Sequence, residues 1–183
     1  MSIPDALRAT VLRRLGRLER TERGILMRAS VIGRHFDLRT AVATADRSEA
    51  TVRNALASAC TSQLIVAWHS DRYSFRHALT HEIIYAEFVN ARIRPLHARI
   101  ARMLERTLHG GEPVLEELAY HAWAAGDVKR TLRYNELAGD GAVAVHAYDD
   151  ARRYYNRARS LVEIGSHGFT RLCEKLGTID EMG

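Results

Sequence analysis

Leu64-Ile65-Val66-Ala67-Trp68-His69-Ser70-Asp71-Arg72-Tyr73-Ser74-Phe75 interrupts the helical rhythm of the chain, and its reading decides the fold. Leu64 to Trp68 is β-branched and aromatic, His69 to Arg72 has turn chemistry, and Tyr73-Ser74-Phe75 alternates, which together predict a β-hairpin. Everything before it repeats at helical spacing. Ser48 is suited to cap a helix whose apolar stripe is Val52, Leu56, Ala59 and Cys60. Phe36-Asp37-Leu38 opens a short helix through Ala41, Val42 and Ala45, and Thr21 starts another through Ile25, Leu26 and Ala29 to Gly33. Ahead of these, Leu7, Val11, Leu15 and Leu18 face one way and Arg13, Arg14, Arg17 and Arg20 the other, predicting an amphipathic helix.

Three short helices followed by a hairpin is the order of a winged helix, in which the last helix and the hairpin share one small core. Helical spacing returns from His77 to Phe88, and Pro95 is placed to start a helix carrying Leu96, Ile100, Leu104 and Leu108. Gly110-Gly111 and Pro113 then break the pattern. The chain therefore divides into a basic helix at 1–19, a winged-helix domain with its following helices at 20–110, and a helical region at 111–183. In that last region Ala119, Ala122, Thr131 and Ala138 are echoed twenty residues later by Gly139, Ala142, Ala151 and Ala158, with Tyr155 among them. Small residues let neighbouring helices approach and an aromatic fills the space beside them, as in tetratricopeptide arrays, although the offset is shorter than the roughly 34 residues of that repeat. An ordinary Ala-rich bundle would show similar spacing. After Gly165 only a weak helix from Phe169 to Leu176 is predicted, so the array is expected to continue beyond this chain. The fold class is thus mainly α: a winged helix followed by an antiparallel tetratricopeptide-like array.

With 46% hydrophobic and 27% charged positions over 183 residues, the composition is that of a folded globular protein and excludes a disordered or collagen-like chain. Apolar runs such as Leu64 to Trp68 fall far short of the roughly 20 residues of a bilayer crossing, and the first residues do not form a signal peptide, so no membrane association and a cytoplasmic location are expected. Cys60 and Cys173 are too few and too far apart for a disulfide framework or a zinc knuckle. The net charge of +5 lies wholly in residues 1–53, which hold 11 Arg against 6 acids. That excess invites a nucleic-acid reading. Because Lys supplies only Lys129 and Lys175 of 27 basic residues, a coding preference for Arg on solvated helix faces explains it equally simply.

Pro4-x-x-Leu7, Arg14-Leu15-x-x-Leu18, Ser30-Val31-Ile32-Gly33-Arg34-x-Phe36, Tyr73-Ser74-Phe75-Arg76-His77-Ala78-Leu79, Arg94-x-Leu96-His97 and Glu117-Leu118-Ala119-x-His121 follow one another along the chain. Ala125-Gly126-Asp127, Arg133-Tyr134-Asn135, Ala138-Gly139-Asp140 and Tyr154-Tyr155-x-x-Ala158 continue the series. Together these blocks resemble the LuxR-type STAND regulators and the multidomain adenylate cyclases with an AAA-like ATPase module, over nearly all of residues 3–160. The resemblance implies a winged helix and a tetratricopeptide region that follow an ATPase. The GxxxxGK[ST] phosphate loop of that ATPase has no counterpart here. No cofactor is therefore expected in this chain, and ATP or ADP would be met only through a separate ATPase module.

In such regulators the winged helix supplies a His, in a Met-His-Asp type motif, that touches the nucleotide phosphate. Arg76-His77-Ala78 resembles that motif with Ala78 in place of the Asp, so the resemblance implies nucleotide sensing by His77 and Arg76 once a partner ATPase is supplied. A simpler reading makes His77 the first residue of a helix. His77 and His81 are four apart with Glu82 beside them, but a zinc protease needs its Glu inside the pair, so no metal site is expected. For DNA, Arg53 and Asn54 stand at the recognition position with Ala57, Ser58 and Thr61, and Arg72 stands in the wing. Glu49 opposes phosphates there, and few other bases are at hand, so protein contact ranks above DNA contact. Tyr134, Tyr148, Tyr154 and Tyr155 are candidate anchors of a partner groove, with core packing expected for at least half of them. His97 and His121 are expected to pack between helices, and the paired acids Glu116-Glu117 and Asp149-Asp150 belong to no catalytic constellation. The expected role is that of a non-catalytic regulatory and protein-interaction chain, with a protein partner and with self-association through the helical end as a further route. The alternative is a stand-alone winged-helix DNA-binding regulator.

Overall fold

In the computed structural model, residues 5–88, 93–107 and 112–182 are described. They form ten helices and one three-stranded antiparallel sheet, divided between compact units Met1–Leu96 and His97–Gly183. The division falls at Leu96/His97, whereas the expected Gly110-Gly111 boundary lies outside the described residues.

The first unit runs α1 (Asp5–Gly16), α2 (Arg20–Ile32), β1 (His35–Asp37), α3 (Leu38–Ala45), α4 (Glu49–Thr61), β2 (Ile65–His69), β3 (Arg72–Phe75) and α5 (Ala78–Phe88). α2 is its centre and packs on α3, α4 and α5. Leu26, Leu56, Leu64, Ile65, Phe75, Ile83 and Ile84 are fully buried, each contributing about 1.5–3 kcal/mol of transfer free energy. The N-cap of α2 is Glu19, two residues before the expected cap Thr21, because the Glu22 carboxylate accepts the Glu19 N–H at 3.0 Å and closes the first turn. At its other side Arg23 Nη2 donates to the carbonyls of Gly16 and Leu18 at 3.3 and 3.2 Å, meeting the open C-terminus of α1.

The predicted hairpin is present as β2 and β3, but the sheet has a third strand, in the order β1-β3-β2. His35, Phe36 and Asp37 pair with Ser74, Tyr73 and Arg72, so Phe36-Asp37 does not open a helix. Three residues are too few to display a period, and the unfilled edge of β3 together with the contact of Phe36 with Tyr73 (5.8 Å between centroids) decides their state. The helix waits until Leu38, where Asp37 caps it by accepting from the Thr40 N–H at 2.8 Å.

The second unit holds most of α6 (Ile93–Thr107), then α7 (Glu112–Ala125), α8 (Val128–Ala144), α9 (Tyr148–Arg159) and α10 (His167–Met182). The α7–α8 turn is short because Gly126 takes φ 73°, a left-handed conformation that costs other residues energy. Asp127 then caps α8 by accepting from the Arg130 N–H at 3.0 Å. α8 is packed on both sides, against α7 and α9, and α10 closes over α9. The tail helix extends well beyond the expected Phe169–Leu176. It continues through Gly177 because Leu172, Leu176 and Ile179 bury against Ala151, Tyr155 and Ala158, a gain that outweighs the roughly 1 kcal/mol a helical Gly costs. Among the described residues no helix is long and apolar enough to cross a membrane.

Candidate functional site

Each candidate site residue lies among the described residues, whereas Leu108 lies outside them. Arg53 lies on the exposed side of α4, but Nε donates to Glu49 at 2.9 Å and Nη2 to Asp71 of the hairpin turn at 3.0 Å. Both carboxylates hold the guanidinium in its charged form, and both occupy the N–H edge a guanine would need. Asn54 is exposed beside it, whereas Ser58 is turned to Glu22, to which its hydroxyl donates at 2.6 Å. Arg72 does not join them: its guanidinium sits 5.9 Å from the ring of Trp68, itself 51% exposed at a bulge in β2.

His77 and Arg76 are both exposed between β3 and α5. The Arg76 N–H donates to the Leu64 carbonyl at 3.1 Å, closing the base of the hairpin, and the His77 carbonyl accepts from the N–H groups of Thr80 and His81. The backbone thus explains the helix start, and the imidazole of His77 faces solvent. His81 is turned away into the fold, with Nε2 2.8 Å from the Ser30 carbonyl and its ring against Phe75. No group of three metal-ligating side chains occurs among the described residues.

In the second unit the four candidate groove tyrosines separate. Tyr134, Tyr154 and Tyr155 are buried at 1%, 3% and 2% exposure, and only Tyr148 keeps an intermediate exposure. Three of the four are thus core residues, in line with the core packing expected for at least half, and two of these, Tyr134 and Tyr155, share one arrangement. Each rests its ring between helices and sends its hydroxyl outward to a carboxylate: Tyr134 to Glu105 and Tyr155 to Asp140, both at 2.6 Å. Burial first, and then those carboxylates, push both phenols above their ordinary value. Glu105 is a junction, since it also accepts from Arg130 Nε and Nη2 at 3.0 and 2.9 Å; the Tyr134 hydroxyl and Arg130 hold its carboxyl below the usual range.

His97 and His121 are buried at 1% exposure, and their Nδ1 atoms are 2.8 Å apart. One neutral ring donates and the other accepts. Burial lowers the pKa of His97 to about 4, because a charged imidazole there would forfeit its water. Both were expected to pack between helices; that they meet each other is not visible in the sequence.

The sequence reading missed a stripe of rings that runs from the core to the surface. Tyr120 and Trp123 of α7 and Tyr154 of α9 present rings to the guanidinium of Arg157, at 5.4, 5.2 and 5.9 Å from their centroids. Trp123 is 37% exposed. Arg157 is half-buried and has no carboxylate partner among the described residues; burial first, and then Arg153, pull its pKa below the ordinary guanidinium value. One turn earlier on both helices, Leu115, Glu116, Ala138, Gly141, Ala142, Val145, Ala147 and Asp150 line a notch of about 160 Å³. A signal for the stripe exists: Glu116 and Asp150, Tyr120 and Tyr154, and Trp123 and Arg157 each stand 34 residues apart. The twenty-residue offset of small residues had concealed it.

Comparison of the chain with protein families, with curated proteins and with solved structures finds no match.

Proposed function

We propose that this chain is a non-catalytic regulatory and protein-interaction element of the kind found in LuxR-type STAND signalling ATPases. In this reading α2, α3, α4 and the sheet are a winged helix, and α7 to α10 are two tetratricopeptide-like hairpins. The observation that carries it is the 34-residue correspondence between α7 and α9, which equals the length of a tetratricopeptide repeat and lays like positions side by side on one face. Such a face receives partners without chemistry of its own, and the protein couples that binding to a nucleotide switch on an ATPase module. His77 and Arg76, exposed at the start of α5, are the groups that would approach the nucleotide. DNA binding ranks lower, because Arg53, the best candidate to read a base, is already engaged by Glu49 and Asp71.

The test combines the chain with a STAND-type ATPase module and follows release of a fluorescent ADP analogue. Release is expected to slow when the chain is added and to recover with His77→Ala. Identical release with wild type and His77→Ala removes the sensing role, and turnover of any substrate by the purified chain removes the non-catalytic one.

A further inference from the structure

Two oxygens inside the second unit are buried with no hydrogen-bond partner among the described residues: Oγ1 of Thr131 and Oδ1 of Asn135. Both side chains are at 0% exposure, and they stand four residues apart on α8, hence on one face of it. That face is the one turned to α7. Nδ2 of Asn135 donates to the Ala119 carbonyl of α7 at 2.9 Å and to the Thr131 carbonyl at 3.1 Å, so exchanging the two ends of the amide would set an oxygen against two carbonyls. The orientation of the amide is thereby fixed. Oδ1 only accepts and needs a donor, whereas the Thr131 hydroxyl can donate or accept. Buried oxygens of this kind are completed, in the great majority of folded proteins, by a protein group or by an ordered water.

The seam suits a water and little else. Across from Asn135 stands Ala119, and one turn closer to the α7–α8 turn Thr131 is matched by Ala122; both alanines are at 0% exposure. Alanines leave room that longer side chains would fill, and a buried water requires room together with two or more polar partners. A Ca²⁺ or Mg²⁺ ion takes about six or more oxygens, and the seam offers two that are unspent.

We propose that the α7–α8 seam binds one water molecule, which donates to Asn135 Oδ1 and accepts from the Thr131 hydroxyl. Asn135 then ties the two helices at both ends of its amide, directly to Ala119 through nitrogen and through the water at oxygen. One turn further along the same seam Leu115 and Ala138 line the notch, so the water site fixes the register of the two helices that frame it. The site holds whether or not the face above it receives a partner.

Thr131→Val in the full chain tests the proposal through the sign of a stability change, because the two side chains have nearly the same shape. With the water bound, Val removes one of its anchors and strands the Asn135 oxygen, so the unfolding equilibrium constant from urea titration should rise about tenfold. Without it, Val removes a buried hydroxyl that had no partner, and the constant should fall. In an Asn135→Leu background no amide oxygen remains to be served, and Thr131→Val is expected to be neutral or stabilising. A crystal structure of the chain should place one water about 2.7–3.2 Å from both oxygens, and this measurement together with the sign of the first change decides the matter even if Asn135→Leu does not fold. A stabilising Thr131→Val, an equal loss in both backgrounds, or a Thr131 hydroxyl bonded directly to Asn135 overturns the inference.

Discussion

Replacing Gly139 by Ala tests the packing on which the second unit is built. An added Cβ would stand 2.6 Å from Cδ1 and 2.8 Å from Cζ of Tyr155, and closer still to Cε1. Ordinary carbon contacts need about 3.5 Å, so the ring would have to retreat by about 1 Å. It has little freedom to do so. Tyr155 is 2% exposed among Ala151, Ala158, Leu172 and Leu176, and its hydroxyl is tied to Asp140 at 2.6 Å. Overpacking of this kind costs about 1–3 kcal/mol, and detaching the hydroxyl from an ionised carboxylate moves the value to the upper end. Against it stands the helical preference of Ala over Gly, about 1 kcal/mol. The net expectation is a loss of about 2 kcal/mol, or a urea midpoint lower by about 1 M at a slope near 2 kcal/mol/M. Trp68 and Trp123 are the only tryptophans, so in a Trp68→Phe background the emission of Trp123 reports on this unit alone. In a Tyr155→Leu background the clash is gone, and the same Gly139→Ala change should stabilise by up to about 1 kcal/mol. A neutral or stabilising effect in the presence of Tyr155 would refute the reasoning, because the sign reversal has no other source in this geometry.

Acid should weaken the second unit before any carboxylate titrates. His97 has a folded pKa of about 4 against 6.5 in the open chain, so the unfolded state binds the extra proton, and stability is complete above pH 6.5 and declines toward pH 4. The slope is at most about 1.4 kcal/mol per pH unit, and urea midpoints measured from pH 7 to 5 should lose it in His97→Gln. Glu105→Ala leaves the part-buried hydroxyl of Tyr134 and the guanidinium of Arg130 short of an acceptor, and a thermal melt should register a loss of about 1–2 kcal/mol. Because the folded pKa of Glu105 is depressed, its contribution holds above the usual carboxylate range and disappears as pH falls through the lower folded value. Arg53→Gln should leave retention of a random-sequence DNA duplex at low salt unchanged, since that side chain is already engaged by Glu49 and Asp71; a marked loss would restore the DNA reading.

The helices and the hairpin were legible because burial imposes a period on them. Val52, Leu56 and Ala59 can be read as one apolar stripe from spacing alone, and the structure buries each of them. β1 was not legible, because three residues have no period and their state depends on an edge supplied some forty positions later by Tyr73 and its neighbours. The same limit concealed the end of α10. Gly177 is a local stop signal, and only the distant partners of Leu172 and Ile179 overrule it. Tyr134 and Tyr155 were recognised as residues of consequence, but a tyrosine's ring can serve a core while its hydroxyl serves the surface, and sequence does not separate the two. Arg157 had no signal of its own. It gained one only when aligned with Trp123 at the repeat distance.

Where the charge lies and where it is engaged within the fold are different questions. The net excess of arginine is in residues 1–53, the part that composition alone would assign to nucleic acid. Four of the eleven arginines there are engaged within the fold, Arg8 on Glu87, Arg14 on the Gln63 carbonyl, Arg23 on the end of α1 and Arg53 on Glu49 and Asp71, while Arg13, Arg17, Arg20, Arg34 and Arg39 are exposed. The region from residue 54 onward is balanced overall, yet it withdraws one guanidinium from water and leaves it with rings for company. An exposed arginine costs the protein nothing and promises little. A half-buried one without an acid is held at the expense of its hydration.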